Sequence, residues 1–347
     1  MKKIVVRRPG GFSRLRLEDC AEPEAGPGQV VVETRAIGVN YADCVARMGL
    51  YKSARQFVGW PLTPGFEFAG VVTAIGTGVT TLTPGTRVMG VTRFGAYAER
   101  LAVSSELVFP LPDSVSFERA GAFPVAFLTA WYALFELGNA RAGTTVLVHS
   151  AAGGVGSAAC QLARDAGARV LGVVGSAHKR EHALSQGALE VVDKAREPLW
   201  QAAAKFAPDG FDLVLDANGA STLRKGFEHL APMGRLIIYG FSSMMSHGGV
   251  ANPLRLLIQY LRTPRFHPLE MIDRNVAVFA FNLSYLFEKH ELYRKVMLEL
   301  LRKVAAREIA PLAVTPYALA DAPAAHAALQ SGRTLGKLVL VPDSASA

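Results

Sequence analysis

The run Val146-Leu147-Val148-His149-Ser150-Ala151-Ala152-Gly153-Gly154-Val155-Gly156 constrains this chain more than any other stretch. An apolar strand enters a turn of small residues, and a helix is expected over Gly156 to Ala166. Ala151, Gly153 and Gly156 stand at the three fixed positions of a G-x-G-x-x-G loop, with Gly154 and Val155 between the last two. Small residues let the main chain approach a pyrophosphate, and the helix N-terminus attracts its charge. Without a ligand the same run is only a tight strand–helix turn, so its surroundings decide. Further strands are expected over Arg169 to Val174, Leu189 to Val192, Phe211 to Asp216 and Arg235 to Tyr239. Helices at His178 to Gln186, Leu199 to Ala207 and Leu223 to Leu230 separate them. This βαβ alternation demands a parallel sheet covered on both faces, a doubly wound α/β domain.

The end of the second strand selects the dinucleotide. A site for NAD usually carries Asp or Glu about 20 residues past the loop, bonded to the ribose 2′-hydroxyl. Here that place reads Gly175-Ser176-Ala177-His178-Lys179-Arg180. There is no carboxylate, and two cations follow Ser176. A 2′-phosphate is repelled by an acid and attracted by Lys179 or Arg180, so NADPH is the expected cofactor. The competing reading makes Lys179 and Arg180 a solvated first turn of helix.

The rest of the chain has a different texture. Short β-branched runs separated by Gly and Pro, such as Val30 to Ile37, Phe68 to Ile75 and Arg87 to Gly90, predict a barrel-like antiparallel domain first. Phe117 to Gly138 reads as helical apart from a break at Pro124. After about residue 280 come a helix over Tyr293 to Ala306, a shorter one over Ala324 to Gln330, and a strand Lys337 to Val341 that is expected to return to the first domain. At 347 residues two domains are expected: a discontinuous catalytic domain at 1–122 and 280–347, and an inserted nucleotide domain at 123–279. Only Ser344 to Ala347 look low in complexity. The net charge of +8 is scattered, with no basic run interleaved with aromatics, which argues against nucleic-acid binding. No apolar stretch is long enough for a spanning helix and no signal peptide is recognisable, so a cytoplasmic protein is expected. Cys20, Cys44 and Cys160 are far apart and form no ligand or disulfide pattern.

Several segments together resemble the quinone oxidoreductase branch of the medium-chain dehydrogenase/reductase superfamily. They are Val39-Asn40-Tyr41-Ala42-Asp43, Arg47-Met48-Gly49-Leu50-Tyr51, Pro64 to Val72, Pro84 to Val88, the glycine loop, and Gly336 to Leu340. Asn275 to Phe287 and Leu230 to Arg235 are similar to the vesicle amine transport protein 1 subgroup. The resemblance implies a GroES-like β-barrel-type catalytic domain beside a Rossmann domain. Zinc-dependent members use a Cys, the His of a Gly-His-Glu triplet, and a later Cys or Asp. Here the triplet is Gly65-Phe66-Glu67, and no cysteine lies between Cys44 and Cys160, so a tetrahedral zinc site cannot be assembled and no metal is expected. That suits hydride transfer to electron-poor acceptors, governed mainly by positioning.

By resemblance, Asn40 holds the nicotinamide ribose or a substrate oxygen, and Tyr51 and Tyr41 offer phenol hydroxyls, with packing as the competing role for both tyrosines. Asp43 is expected to brace the turn, and Glu67 to make an internal hydrogen bond or ion pair. Thr129, Phe241, Phe281 and Asn282 are expected near the nicotinamide. Lys194 stands where relatives often carry a Tyr against the adenosine phosphate, and Lys337 is expected to reach the cofactor from the tail. The leading expectation is an NADPH-dependent quinone oxidoreductase-like enzyme acting on a small-molecule electron acceptor, a quinone or activated enone. Two others stand beside it: an NADPH-binding protein with little turnover that acts on a membrane periphery or a partner, and an enoyl-thioester reductase. A homodimer is expected. The apolar stretch Pro253 to Leu261 reads as a core or dimer-interface helix, with a membrane-facing or lid helix as the alternative.

Overall fold

β-Branched residues dominate the long strand Gln29–Val39, and Val30, Val32, Ile37 and Val39 are all buried along it. This strand organises the first of two units in the computed structural model of the chain, which describes residues 1–244 and 249–343. Ser344 to Ala347, the low-complexity end, lie outside the described residues. The first unit comprises Met1–Val125, residues 249–251 and the described residues from 284 onward. Its main sheet runs in the order Val314–Ala318, Lys337–Val341, Gln29–Val39, Glu67–Ile75, Arg87–Val91, Val108–Pro110, and Arg100–Ser104 also pairs with Gln29–Val39. All neighbours are antiparallel except Val314–Ala318 with Lys337–Val341. The tail strand is placed by pairing Leu338 with Val39 and Leu340 with Ile37.

The second unit takes residues 126–244 and 252–283. Its six strands are all parallel, in the order Glu190–Asp193, Arg169–Val174, Thr145–His149, Phe211–Asp216, Leu230–Ile238, Ala277–Ala280. Numbered within the unit this is 3-2-1-4-5-6, the doubly wound order that reverses beside the first strand. Leu147, Leu171, Val173, Val214 and Leu236 fill the strands' buried faces, with Phe206, Phe211 and Phe227 packed on them. The fold class read from the sequence holds. The sixth strand, Ala277–Ala280, was not foreseen: it is short, and its burial is partial. The stretch after Pro124 is an α-helix, Pro124–Trp131, which widens into a π-helical turn over Tyr132–Leu137.

One reading needs correction. The helix Pro253–Arg262 is not a core helix in this structure: Leu254, Leu257, Ile258 and Leu261 are 66%, 54%, 40% and 73% exposed. Apolar spacing along a helix fixes which residues share a face, and it does not supply the partner that covers them. Among the described residues no helix is long and apolar enough to cross a membrane.

Candidate cofactor and active site

The strand Thr145–His149 is buried almost throughout and ends in a sharp reversal, where Ser150 takes a left-handed φ of 57°. Ala151 N donates to Val173 O at 3.0 Å, and Gly153 N to Ser150 O at 2.9 Å, which closes the loop on itself. Gly153 then caps the helix Gly154–Asp165, two residues earlier than the sequence reading placed it. A Cβ on Gly156 would lie 2.2 Å from Ser150 O and 2.8 Å from Ala151 Cα, so only glycine lets the helix press this close to the turn. A Cβ on Gly153 would meet only Ser150 O, at 3.3 Å. Gly153, Gly154 and Val155 stay half-buried at the start of the helix, where the first N–H groups have no intrahelical partner. The fit to a pyrophosphate therefore rests on a main-chain cradle that side chains would fill.

Asp216, at the end of the neighbouring strand, sets the adjoining loop. Its Oδ1 accepts from Asn218 N and Gly219 N, each at 2.8 Å, and its Oδ2 from Thr222 Oγ1 at 2.5 Å. His149 is a packed strand-end residue with Nε2 3.8 Å from Asp216 Oδ2. Burial lowers its pKa to about 4, so the ring is neutral.

Past the second strand, Ser176 opens a short turn over Ala177–Lys179. Lys194 reaches the same place from the end of the third strand, where its N donates to Val174 O at 3.1 Å. Its Cε passes 3.9 Å from the site of a Cβ on Gly175. Burial lowers the Lys179 pKa, and the charge of Lys194 lowers it further. An anion near both lysines would relieve this repulsion. Arg180 does not join them: its guanidinium donates to Val191 O and lies 3.5 Å from Glu197 Oε1. The helix Arg180–Ser185 begins at that residue and carries its side chain toward the third strand. The sequence named Lys179, Arg180 and Lys194 as candidate cations; in this structure the charge of Lys194 is felt at Lys179, while Arg180 is engaged by Val191 O and Glu197.

In the first unit, Asn40 precedes the helix Tyr41–Arg47, and its N donates to Asp43 Oδ2 at 2.8 Å. Asp43 braces the turn as expected, accepting also from Gly65 N at 2.8 Å and Tyr97 Oη at 3.1 Å. Burial pushes its carboxyl up to about 7, while the bonds from Asn40, Gly65 and Tyr97 and the charge of Lys337 pull it down. Behind Asp43, Tyr97 Oη lies 3.1 Å from His326 Nε2, and Arg47 Nε lies 3.4 Å from His326 Nδ1. Burial and then Arg47 lower the His326 pKa to about 3. A neutral ring satisfies every partner: Arg47 donates to Nδ1, Nε2–H donates to Tyr97, and Tyr97 donates to Asp43.

The Asn40 amide is already engaged. Its Nδ2 donates to Glu67 Oε1 at 2.8 Å, and its Oδ1 accepts from Lys337 Nζ at 2.7 Å. Lys337 also donates to Val39 O at 3.0 Å and Glu67 Oε1 at 2.7 Å. The Lys337 donors, expected from the sequence at the cofactor, are used inside the fold in this structure. Its strand lies beside Gln29–Val39, and that register delivers the ammonium to Glu67. Tyr51 packs edge-on against Phe66 and Phe94, with centroids 5.8 Å and 6.2 Å away, forming an aromatic wall beside Trp60. Tyr41 opens its helix and is half-buried. Thr129 is buried in the second unit's Pro124–Trp131 helix. In the same unit Phe281 packs on Tyr132 at 4.9 Å and Tyr239 at 6.2 Å, with Asn282 half-buried next to it. Phe241 covers Gly219 and is partly exposed. Among the described residues no group of three or more His, Cys, Asp or Glu side chains gathers as a metal site would. Tyr97, His326 and Arg47 were missed in the sequence, where no spacing rule links them.

Comparison with known proteins adds the following. Residues 26–113 match the family model described as "Alcohol dehydrogenase GroES-like domain", and residues 154–268 the one described as "Zinc-binding dehydrogenase". The chain is 35% identical over 348 residues to the rat synaptic vesicle membrane protein VAT-1 homolog, covering 99% of this chain and 84% of that protein. Its fold is similar to Pseudomonas syringae quinone oxidoreductase, with a TM-score of 0.84, 32% identity, and 98% and 99% of the two chains covered. Escherichia coli quinone oxidoreductase, solved as a complex with NADPH, matches with a TM-score of 0.84 at 28% identity, over 99% of this chain and 100% of that one.

Proposed function

This chain belongs to the medium-chain dehydrogenase/reductase superfamily, and we propose that it is an NADPH-dependent, zinc-independent reductase of quinones or activated enones. The observation that carries this reading is the glycine-built phosphate cradle, followed at the next strand end by Ser176 and Lys179 with no carboxylate. Residues Ala151 to Gly156 hold the pyrophosphate through main-chain N–H groups, and Ser176, Lys179 and Lys194 hold the 2′-phosphate. Thr129, Phe241, Phe281 and Asn282 orient the nicotinamide end. The cofactor, when bound, supplies the hydride. In the first unit, the Tyr51 phenol donates toward the oxygen on which charge develops, and the aromatic wall of Tyr51, Phe66 and Phe94 offers edges and faces that suit a flat, electron-poor acceptor. Asn40 acts as a held amide: two of its hydrogen-bonding positions are taken by Glu67 and Lys337, which fixes the direction of those that remain. Neither side chain needs to give up a proton permanently, because a reduced quinone takes its proton from water.

The test is oxidation of NADPH by the purified protein against quinones, enones and an enoyl thioester, with NADH as control. Turnover of quinones or enones with NADPH preferred is the expected result. Turnover confined to the thioester moves the assignment to an enoyl-thioester reductase. NADPH binding without turnover of any acceptor moves it to a binding protein.

A further inference from the structure

We propose that the buried Lys337–Glu67 ion pair is the positioning device for Asn40, and that it sets one amide N–H as a fixed, polarised donor. This rests on the proposed function, in which Asn40 is a held amide whose remaining hydrogen-bonding positions are directed by Glu67 and Lys337. Lys337 and Glu67 side chains are 5% and 0% exposed and meet at 2.7 Å. Placing a pair of charges in a fold interior contributes little net stability, and apolar packing of similar volume often does as well. Such a pair is tolerated where every polar atom is satisfied, and here it is. Lys337 Nζ donates to Val39 O, Asn40 Oδ1 and Glu67 Oε1, while Glu67 Oε2 accepts from Val125 N at 2.7 Å. The backbone is also cut back to admit the carboxylate, since a Cβ on Gly38 would lie 2.2 Å from Glu67 Oε1.

The chemistry of the two partners leaves Asn40 one orientation. An ammonium only donates, so it selects Oδ1; a carboxylate only accepts, so it selects Nδ2. A flipped amide would set like against like on both sides. Among the described residues the second Nδ2 hydrogen has only Gly38 O within reach, at 3.5 Å, which is a poor bond. That hydrogen is the donor left over. Bonding of Oδ1 to a cation draws electron density through the amide and strengthens it. The oxygens Val39 O, Asn40 Oδ1 and Glu67 Oε1 together form an ammonium site, and a small amine can enter it once the lysine side chain is removed.

The experiment compares the parent with Lys337→Ala, and with the double variant Lys337→Met, Glu67→Gln, which removes both charges in case the single change fails to fold. Each is measured for kcat, for the NADPH dissociation constant, and for hydrogen exchange in residues 38–51. Lys337→Ala should lose roughly 10- to 100-fold in kcat, with the NADPH constant within about twofold of the parent. Ethylammonium, with sodium chloride as ionic-strength control, should restore part of kcat. The double variant should fold, bind NADPH, turn over slowly and exchange faster over 38–51. Parental kcat and exchange in the double variant would overturn the proposal, as would a loss of NADPH affinity equal to the loss of kcat. If the parent reduces no acceptor, the functional reading fails, and the exchange of 38–51 still decides the clamp: unchanged exchange in both variants rejects it.

Discussion

Replacing Gly156 with Ala and Gly153 with Ala should separate what the phosphate loop does for the fold from what it does for the ligand. The Gly156→Ala methyl would sit 2.2 Å from Ser150 O and 2.8 Å from Ala151 Cα, both main-chain atoms. An ordinary carbon–oxygen contact is about 3.3 Å or more, so turn and helix must part by about 1 Å. Overpacking of this kind costs about 1–3 kcal/mol, and the clash with backbone on both sides places it at the upper end. The better helix propensity of Ala returns at most about 1 kcal/mol. A net loss of about 2 kcal/mol should lower the melting temperature by roughly 4–8 °C. Gly153 has φ −87° and ψ 174°, which Ala adopts readily, and its methyl meets only Ser150 O at 3.3 Å. Gly153→Ala should therefore cost below about 1 kcal/mol of stability. It should still weaken NADPH by about tenfold or more, because the methyl stands where the pyrophosphate approaches the main chain. Thermal denaturation and fluorescence titration of NADPH measure the two effects. A Gly156→Ala protein that melts with the parent, or a Gly153→Ala protein that binds NADPH as the parent does, would refute this account of the loop.

Lys179→Ala combined with Lys194→Ala should weaken NADPH by more than tenfold and leave NADH within about twofold, since charge-assisted phosphate bonds contribute up to about 1.5–3 kcal/mol each; Arg180→Ala should change neither much, and the reverse pattern in a titration would return the site to Arg180. Asp43→Asn tests the buried carboxyl. With the native carboxyl raised to about 7 from 3.8, the folded state holds a proton that the unfolded state releases. The stability of the parent relative to Asp43→Asn should then be highest near pH 4 and fall as pH rises through 7, by up to about 1.4 kcal/mol per pH unit. Denaturant melts from pH 5 to 8 read this directly, and a flat difference would mean that the three donors around Asp43 keep it ionised.

The parts of this molecule that follow from local sterics were legible in the sequence. The glycine loop, the alternating strands and helices, and the missing carboxylate after the second strand all depend on residues near one another in the chain. What depends on register between distant strands was not. Lys337 and Glu67 are 270 residues apart, and only the placement of the tail strand beside Gln29–Val39 joins them. The direction of the Arg180 side chain, toward Val191 O and Glu197, depends on one rotamer at a helix start, which charge counting does not resolve. Pro253–Arg262 reads from the sequence as a core or dimer-interface helix, or else a membrane-facing or lid helix, and the exposure of Leu254, Leu257, Ile258 and Leu261 removes only the core reading.

The position of the tail strand also sets an order of events at the ribosome. Val39 and Lys337 lie 298 residues apart and end up bonded in the same sheet. The second unit, residues 126–244 and 252–283 as described, holds all six strands of its own parallel sheet and needs none from the tail. The first-made strands need one: the flank of Gln29–Val39 that later receives Lys337–Val341 stays an open edge, and the Glu67 carboxylate has no ammonium to neutralise it. An unpaired strand edge invites the wrong partner. A nascent chain of this topology therefore carries an unfinished flank on its first sheet until Lys337–Val341 has been made.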